Sequence, residues 1–250
     1  MKLQIITIAT NQYKEHTDKF LNSLSLFFPG HEKLVTLVTD DVSYFDGKEY
    51  DGIKLELVTT FFLSRIQVFL NKPAIIAYYT KEDYDYTLYA DVDLYFFDLG
   101  NEKEEGIINL LNNDKIIIPE HIRYSYAYYD FLYNEDQRRY RIYDMELLKN
   151  EFNDSPDTPW HIPLLTQKWV MTNFLFAKSS ILKELSNYWK DVYSKFVSET
   201  LRVPKYHDET VINYIIYQNL LGKGKLFNFH IGTFISNQVN NFIPSIICYC

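Results

Sequence analysis

Two short stretches carry the residues with chemistry. Tyr89-Ala90-Asp91-Val92-Asp93 sets two carboxylates one residue apart, and His207-Asp208-Glu209 sets an imidazole beside two more. The first pair falls within an aromatic and β-branched run, residues 84–97, that reads as one buried strand. In an extended segment alternate side chains share a face, so Asp91 and Asp93 point the same way. Carboxylates that close repel each other, and a hard divalent cation with oxygen ligands relieves the repulsion. In open α/β sheets ligands bind outside the carboxyl ends of the strands, where this pair falls. The chemistry expected is Mg²⁺ or Mn²⁺ held by the carboxylates and bridging the diphosphate of a nucleotide-sugar. The plainer reading is a polar strand end.

The second stretch follows Pro204, a structure breaker, and precedes Val211, Ile212, Ile215 and Ile216, which have helical spacing. The triplet therefore opens a helix. Capping explains part of it, because Asp208 can accept from orphan backbone N–H groups and Glu209 favours the positive end of the dipole. Three further roles stay open for the triplet: metal ligation by His207, acid–base chemistry by a carboxylate, or hydrogen bonds to sugar hydroxyls. Carboxylates suit sugars because each oxygen accepts from an O–H.

The elements that must position these groups read as an α/β alternation. Residues 3–9 form a first strand, followed by a polar turn at Thr10-Asn11-Gln12. Residues 15–28 form a helix with Phe20, Leu21, Leu24, Phe27 and Phe28 on one face, ended by Pro29-Gly30. Strands follow over 34–38 and 53–58, the opening of a parallel sheet, with the loops at 10–13 and 40–41 at the same rim as Asp91 and Asp93. Residues 61–79 are helical in pattern, with Pro73 expected to kink or restart the helix. Arg65, in its first turns, is a cation able to reach a phosphate or an Asp91–Asp93 carboxylate, or simply a surface residue. Beyond these come a helix at 101–111, a strand at 115–119, an inner strand at 169–177 and a helix at 179–196. Residues 120–159 are crowded with Tyr and charge but show no sustained period, the pattern of a lid or binding loop.

Composition narrows the classes. The chain of 250 residues is 47% hydrophobic and 23% charged, with no linker or low-complexity tract, which suits a single domain with one sizeable core. Its net charge of −8 argues against nucleic acid as a partner, despite a short Arg cluster at 138, 139 and 141. Cys248 and Cys250, one residue apart, are poorly placed to bond each other, so a reducing compartment is expected. No run approaches the length of a membrane span, and residues 1–10 are too short and too polar for a signal peptide. A cytoplasmic location is the expectation. The 22 Tyr and 18 Phe serve a core or stack on sugars and bases, and biased codon usage explains them equally well.

Four blocks, in order and spacing, resemble glycosyltransferase family 6, which includes the histo-blood-group A and B transferases and the α-1,3-galactosyltransferases. Ile6-Thr7-Ile8-Ala9-Thr10-Asn11-Gln12-Tyr13 is similar to the family's F-A-T-G-x-Y, with Phe20-Leu21-Asn22-Ser23 and Leu37-Val38-Thr39-Asp40 after it. Ser64-Arg65-Ile66 is a loose counterpart of R-x-E-M. Tyr89-Ala90-Asp91-Val92-Asp93 resembles V-D-V-D, and Tyr206-His207-Asp208-Glu209-Thr210 resembles W-H-D-E-S. The resemblance spans about residues 3–230. It implies a GT-A fold, a Rossmann-like mixed sheet flanked by helices, with a donor half at about 1–100 and an acceptor half at about 101–250. It also implies retaining transfer of galactose or N-acetylgalactosamine from a UDP-sugar to a glycan acceptor. Carried over, Ile8, Ala9, Thr10 and Tyr13 would hold the uridine, and Arg65 would sit near the donor and Asp91. Asp91 and Asp93 would bind Mn²⁺ (or Mg²⁺) and the diphosphate. Asp208 would bind the donor sugar, and Glu209 would stabilise or attack the anomeric carbon.

The chain departs from the family at three points. The Gly-rich strand appears as Met171-Thr172-Asn173-Phe174-Leu175-Phe176, with Asn173 able to present an amide to the donor sugar. Tyr206 replaces the family's Trp before His207, which bears on the choice of acceptor. No counterpart of the basic C-terminal tail or of a membrane anchor is evident. Rival classes fit less well. A dehalogenase-type phosphatase wants Thr or Val two residues after the second Asp, where this chain has Tyr95, and a family 8 transferase wants a C-terminal H-x-x-G-x-x-K-P-W block. A GT-A transferase of another family and a non-catalytic sugar-binding relative remain as alternatives.

Overall fold

The computed structural model describes residues 1–60, 65–120, 170–200, 207–220, 222–232, 235–236 and 247–249. The first half runs β1 (Leu3–Ala9), α1 (Lys14–Ser23), β2 (Lys33–Thr39), a short α2 (Val42–Phe45), β3 (Ile53–Thr59), α3 (Arg65–Tyr79), β4 (Tyr86–Ala90) and β5 (Leu94–Phe96). The second half adds α4 (Asn101–Asn112), β6 (Ile116–Pro119), β7 (Phe174–Lys178), α5 (Ser179–Thr200), α6 (His207–Leu220), β8 (Phe229–Gly232), β9 (Ile235–Ser236) and β10 (Ile247–Tyr249).

Seven strands form one mixed sheet in the order β3-β2-β1-β4-β7-β6-β8. β1 is parallel to β2 and β4, whereas β7 is antiparallel to β4 and to β6. A second, small sheet sets β10 between β5 and β9. Strand alternation decides the layers. Leu3, Ile5, Leu88, Ala90, Phe174 and Phe176 point to one face, where they meet Phe20, Leu21 and Leu24 around α1 and Ile107 and Leu111 of α4. Ile6, Ile8, Tyr89, Leu175 and Ala177 point to the other, against Ile76 of α3, Leu182, Leu185 and Trp189 of α5, and Ile212 and Ile215 of α6. The protein is thus α/β, a mixed sheet flanked by helices on both faces, compatible with a Rossmann-like fold. Among the described residues, no helix is long and apolar enough to cross a membrane.

Three local expectations are corrected. The helix expected over 15–28 ends at Ser23 and tightens into a 3-10 turn at Leu24–Leu26. Pro73 does not break α3, which continues to Tyr79. The proline removes one backbone hydrogen bond, but burial of Ile76 and Ala77 past it supplies the packing that keeps the helix going. The strand expected over 84–97 is two strands in two sheets, separated by a turn at Asp91-Val92-Asp93. Of the tract at 120–159 only Glu120 is among the described residues, and Tyr206 lies outside them.

Candidate functional site

Because β1 and β4 are parallel neighbours, their carboxyl ends open on the same edge of the sheet. After β1, Tyr13 N donates to Thr10 O at 2.8 Å, winding Asn11–Tyr13 into a 3-10 turn that leads into α1. After β4, Asp91 N donates to Asn173 O at 2.8 Å and Leu94 N donates to Asp91 O at 3.3 Å. A turn, rather than strand alternation, therefore brings the two carboxylates together. Between these loops is an open cleft with a cavity volume of about 90 Å³. Ile8, Thr10 and Tyr13 line one side, Asp91 and Asp93 another, and Lys72 and Tyr89 the base.

Lys72 organises the polar groups. Val68, Lys72 and Ile76 are four residues apart along α3, so the lysine lies on the stripe that faces the sheet and is only 2% exposed. Its ammonium is 2.8 Å from Asp208 Oδ2 and 3.4 Å from Asp91 Oδ1, and 5.1 Å from the centre of the Tyr89 ring. Burial alone would lower its proton affinity, but Asp208 and then Asp91 outweigh that and raise it. Thr172 Oγ1 donates to Asp208 Oδ2 at 2.6 Å, and Tyr89 Oη donates to Asp91 Oδ1 at 2.5 Å. Burial, with Asp91 behind it, holds the Tyr89 phenol well above its ordinary 10.0.

Asp93 has the opposite environment. Burial and the neighbouring Asp91 push its carboxyl from 3.8 to about 6. Its Oδ1 is buried without a hydrogen-bond partner, and so is Thr10 Oγ1 on the facing loop. At the start of α6, the Asn213 amide donates to Val170 O and Glu209 O at 2.9 Å each and accepts from Val170 N at 3.0 Å. That clamp fixes the first helical turn against the chain entering β7. Asp208, 4% exposed, sits behind Lys72, while Glu209 is half-buried in the same turn.

The expected residues sort accordingly. Ile8, Thr10, Tyr13, Asp91 and Asp93 share the cleft, and Asp208 joins them through Lys72. Ala9 turns its methyl into the core on the α1 face and is not among the described walls of the cleft. Asn173 is buried, and its carbonyl anchors Asp91. Glu209, Asp40 and Asp41 are likewise absent from the described walls. Arg65 begins α3 and His207 begins α6, but their side chains lie outside the described residues. Lys72, Tyr89 and Thr172 were not singled out from sequence. Only Lys72 leaves a signal there: a charge on the apolar stripe of a helix implies a buried partner.

The donor set fits a divalent cation of the Mg²⁺ or Mn²⁺ kind. Both side-chain contacts of Asp91 fall on Oδ1, which leaves Oδ2, and the buried Oδ1 of Asp93 lacks a partner. Among the described residues, no group of three or more His, Cys, Asp or Glu side chains forms a complete metal cage. One or two carboxylates completed by phosphate oxygens and water is the ordinary Mg²⁺ arrangement. Compared with protein-family models and with curated proteins, the chain matches none.

Proposed function

We propose that this protein is a metal-dependent glycosyltransferase with a GT-A fold, related to family 6. It would move galactose or N-acetylgalactosamine, with retention, from a UDP-sugar to a glycan hydroxyl. The observation that carries the reading is the Lys72 ammonium, which ties Asp91 to Asp208 and so unites the two chemistry-bearing stretches in one site. In this reading Ile8, Thr10 and Tyr13 receive the uridine, and Asp91 and Asp93 hold the cation. When bound, the cation offsets the charge that develops on the departing diphosphate. Lys72 and Thr172 fix the Asp208 carboxylate, which accepts from the donor sugar's hydroxyls. Glu209 is assigned to the positive charge at the anomeric carbon, as carboxylates are in glycoside hydrolysis. A cytoplasmic location is part of the same proposal.

The test is to incubate the protein with a panel of UDP-sugars and Mn²⁺ and follow release of UDP and free sugar. Hydrolysis of UDP-galactose or UDP-N-acetylgalactosamine, stopped by chelator, is expected. Turnover of none of the panel, with either Mn²⁺ or Mg²⁺, would contradict the proposal.

A further inference from the structure

The turn that carries Asp91 and Asp93 is fixed to the sheet at its first residue. β4 pairs with β1 on one side and β7 on the other, so that Tyr89 lies opposite Ile6 and Leu175. Asp91 N extends the ladder to β7 by one step, donating to Asn173 O at 2.8 Å. Tyr89 and Asp91, two residues apart, therefore share the face that α3 covers, where Tyr89 packs in one cluster with Ile76. Lys72, one helical turn before Ile76, comes down on the same spot, its ammonium 5.1 Å from the centre of the Tyr89 ring.

This convergence treats the two oxygens of Asp91 differently. Tyr89 Oη donates to Oδ1 at 2.5 Å, and the Lys72 ammonium lies 3.4 Å from that same oxygen. A carboxylate oxygen has two lone-pair sites, so the two donors fill Oδ1 and leave Oδ2 for a ligand. Packing does not require the hydroxyl. The Tyr89 ring is 1% exposed, and a phenylalanine ring would fill the same space without reaching Asp91. Cations differ in what they ask of such a carboxylate. Ca²⁺ gathers more oxygens and readily takes both from one carboxylate. Mg²⁺ and Mn²⁺ are satisfied by one oxygen from each, completed by phosphate and water.

We propose that Tyr89 determines which cation the site prefers: its hydroxyl occupies Asp91 Oδ1, limits Asp91 to ligation through Oδ2, and so favours Mg²⁺ or Mn²⁺ over Ca²⁺. The inference rests on the reading of Asp91 and Asp93 as cation ligands. Tyr89 acts through Asp91 and is a positioning residue.

The experiment is calorimetric titration of UDP into the protein with saturating Mn²⁺, Mg²⁺ or Ca²⁺, or with chelator. The wild type should bind UDP more tightly with Mn²⁺ or Mg²⁺ than with Ca²⁺. In Tyr89→Phe the ratio of the affinity in Mn²⁺ to that in Ca²⁺ should fall about 10-fold or more, the effect of removing a partner of a metal ligand. Each ion's own affinity for UDP cancels when the two proteins are compared. Melting curves in chelator verify that the variant folds. A ring kept only for packing would leave the ratio alone. An unchanged ratio, even with all affinities weakened in parallel, would therefore overturn the proposal, and so would equal wild-type affinities in Mn²⁺ and Ca²⁺. Wild-type UDP affinity undiminished in chelator would instead refute the underlying cation site.

Discussion

The Lys72 ammonium and the Asp208 carboxylate meet at 2.8 Å, both side chains buried, across the interface of α3 and α6. The same ammonium reaches Asp91 at 3.4 Å, so one positive charge serves the turn after β4 and the first turn of α6. Among the described residues, three carboxylates and one lysine meet here, an excess of negative charge when all are ionised. A divalent cation would offset that excess, and a diphosphate would be held here only with the cation in place.

Removing the lysine leaves two carboxylates without their counter-charge, one of them deeply buried. Lys72→Met should therefore destabilise the protein by about 3–5 kcal/mol, as breaking a buried pair does. Adding Asp208→Asn to Lys72→Met should recover part of that loss, because the uncompensated charge goes with it. Urea unfolding of the two single variants and the double variant checks this. Strict additivity would mean that the 2.8 Å contact carries no coupling.

Asp93 predicts a pH dependence of unusual sign for a carboxylate. Its proton affinity is raised from 3.8 to about 6, so the folded state holds this proton more tightly than the unfolded chain. The Asp93 contribution to stability of the metal-free protein should fall as pH rises between those two values. A cation competes with the same proton, so its affinity should drop about tenfold per pH unit below about 6. Cation titrations at a series of pH values, beside melting curves in chelator, measure both trends. A flat cation affinity down to pH 4 would count against Asp93 as a ligand.

Much of this arrangement was legible in the chain, and the misses have physical causes. Leu3–Ala9 and Lys33–Thr39 were visible because buried strands are dense in β-branched and apolar residues, and Ile53–Thr59, a half-exposed edge strand, because its residues alternate with period two. The first turn of α6 was visible because Pro204 precedes it and an apolar period follows. The turn at Asp91–Asp93 was not, since Val92, Leu94 and Phe96 are buried and continue the apolar pattern of β4. Local period does not record that the chain has changed sheets. Lys72 escaped because its role exists only once α3, β4 and α6 have converged. Ala9 was assigned to the uridine only through the family resemblance; β1 alternates and sends its methyl to the opposite face from Ile8.

Glu209 offers a choice between helix electrostatics and chemistry. It occupies the first turn of α6, where an acid stabilises by about 0.3–1 kcal/mol. If that were its only role, Glu209→Gln would lose no more than this and turn over normally. Facing the anomeric carbon, it should instead lose about 100- to 1000-fold in the chemical step, with folding and UDP affinity retained. Single-turnover transfer at saturating donor, beside the melting temperature, separates the two. A near-wild-type rate would transfer the assignment to Asp208.

The central claim is that the Asp91–Asp93 turn presents a cation to the diphosphate of a UDP-sugar. Calorimetric titration of UDP into the protein, with Mn²⁺ and then with chelator, tests it most directly. The account predicts binding with Mn²⁺, little or none in chelator, and loss of the cation dependence in Asp93→Ala. Undiminished UDP affinity in chelator would contradict it.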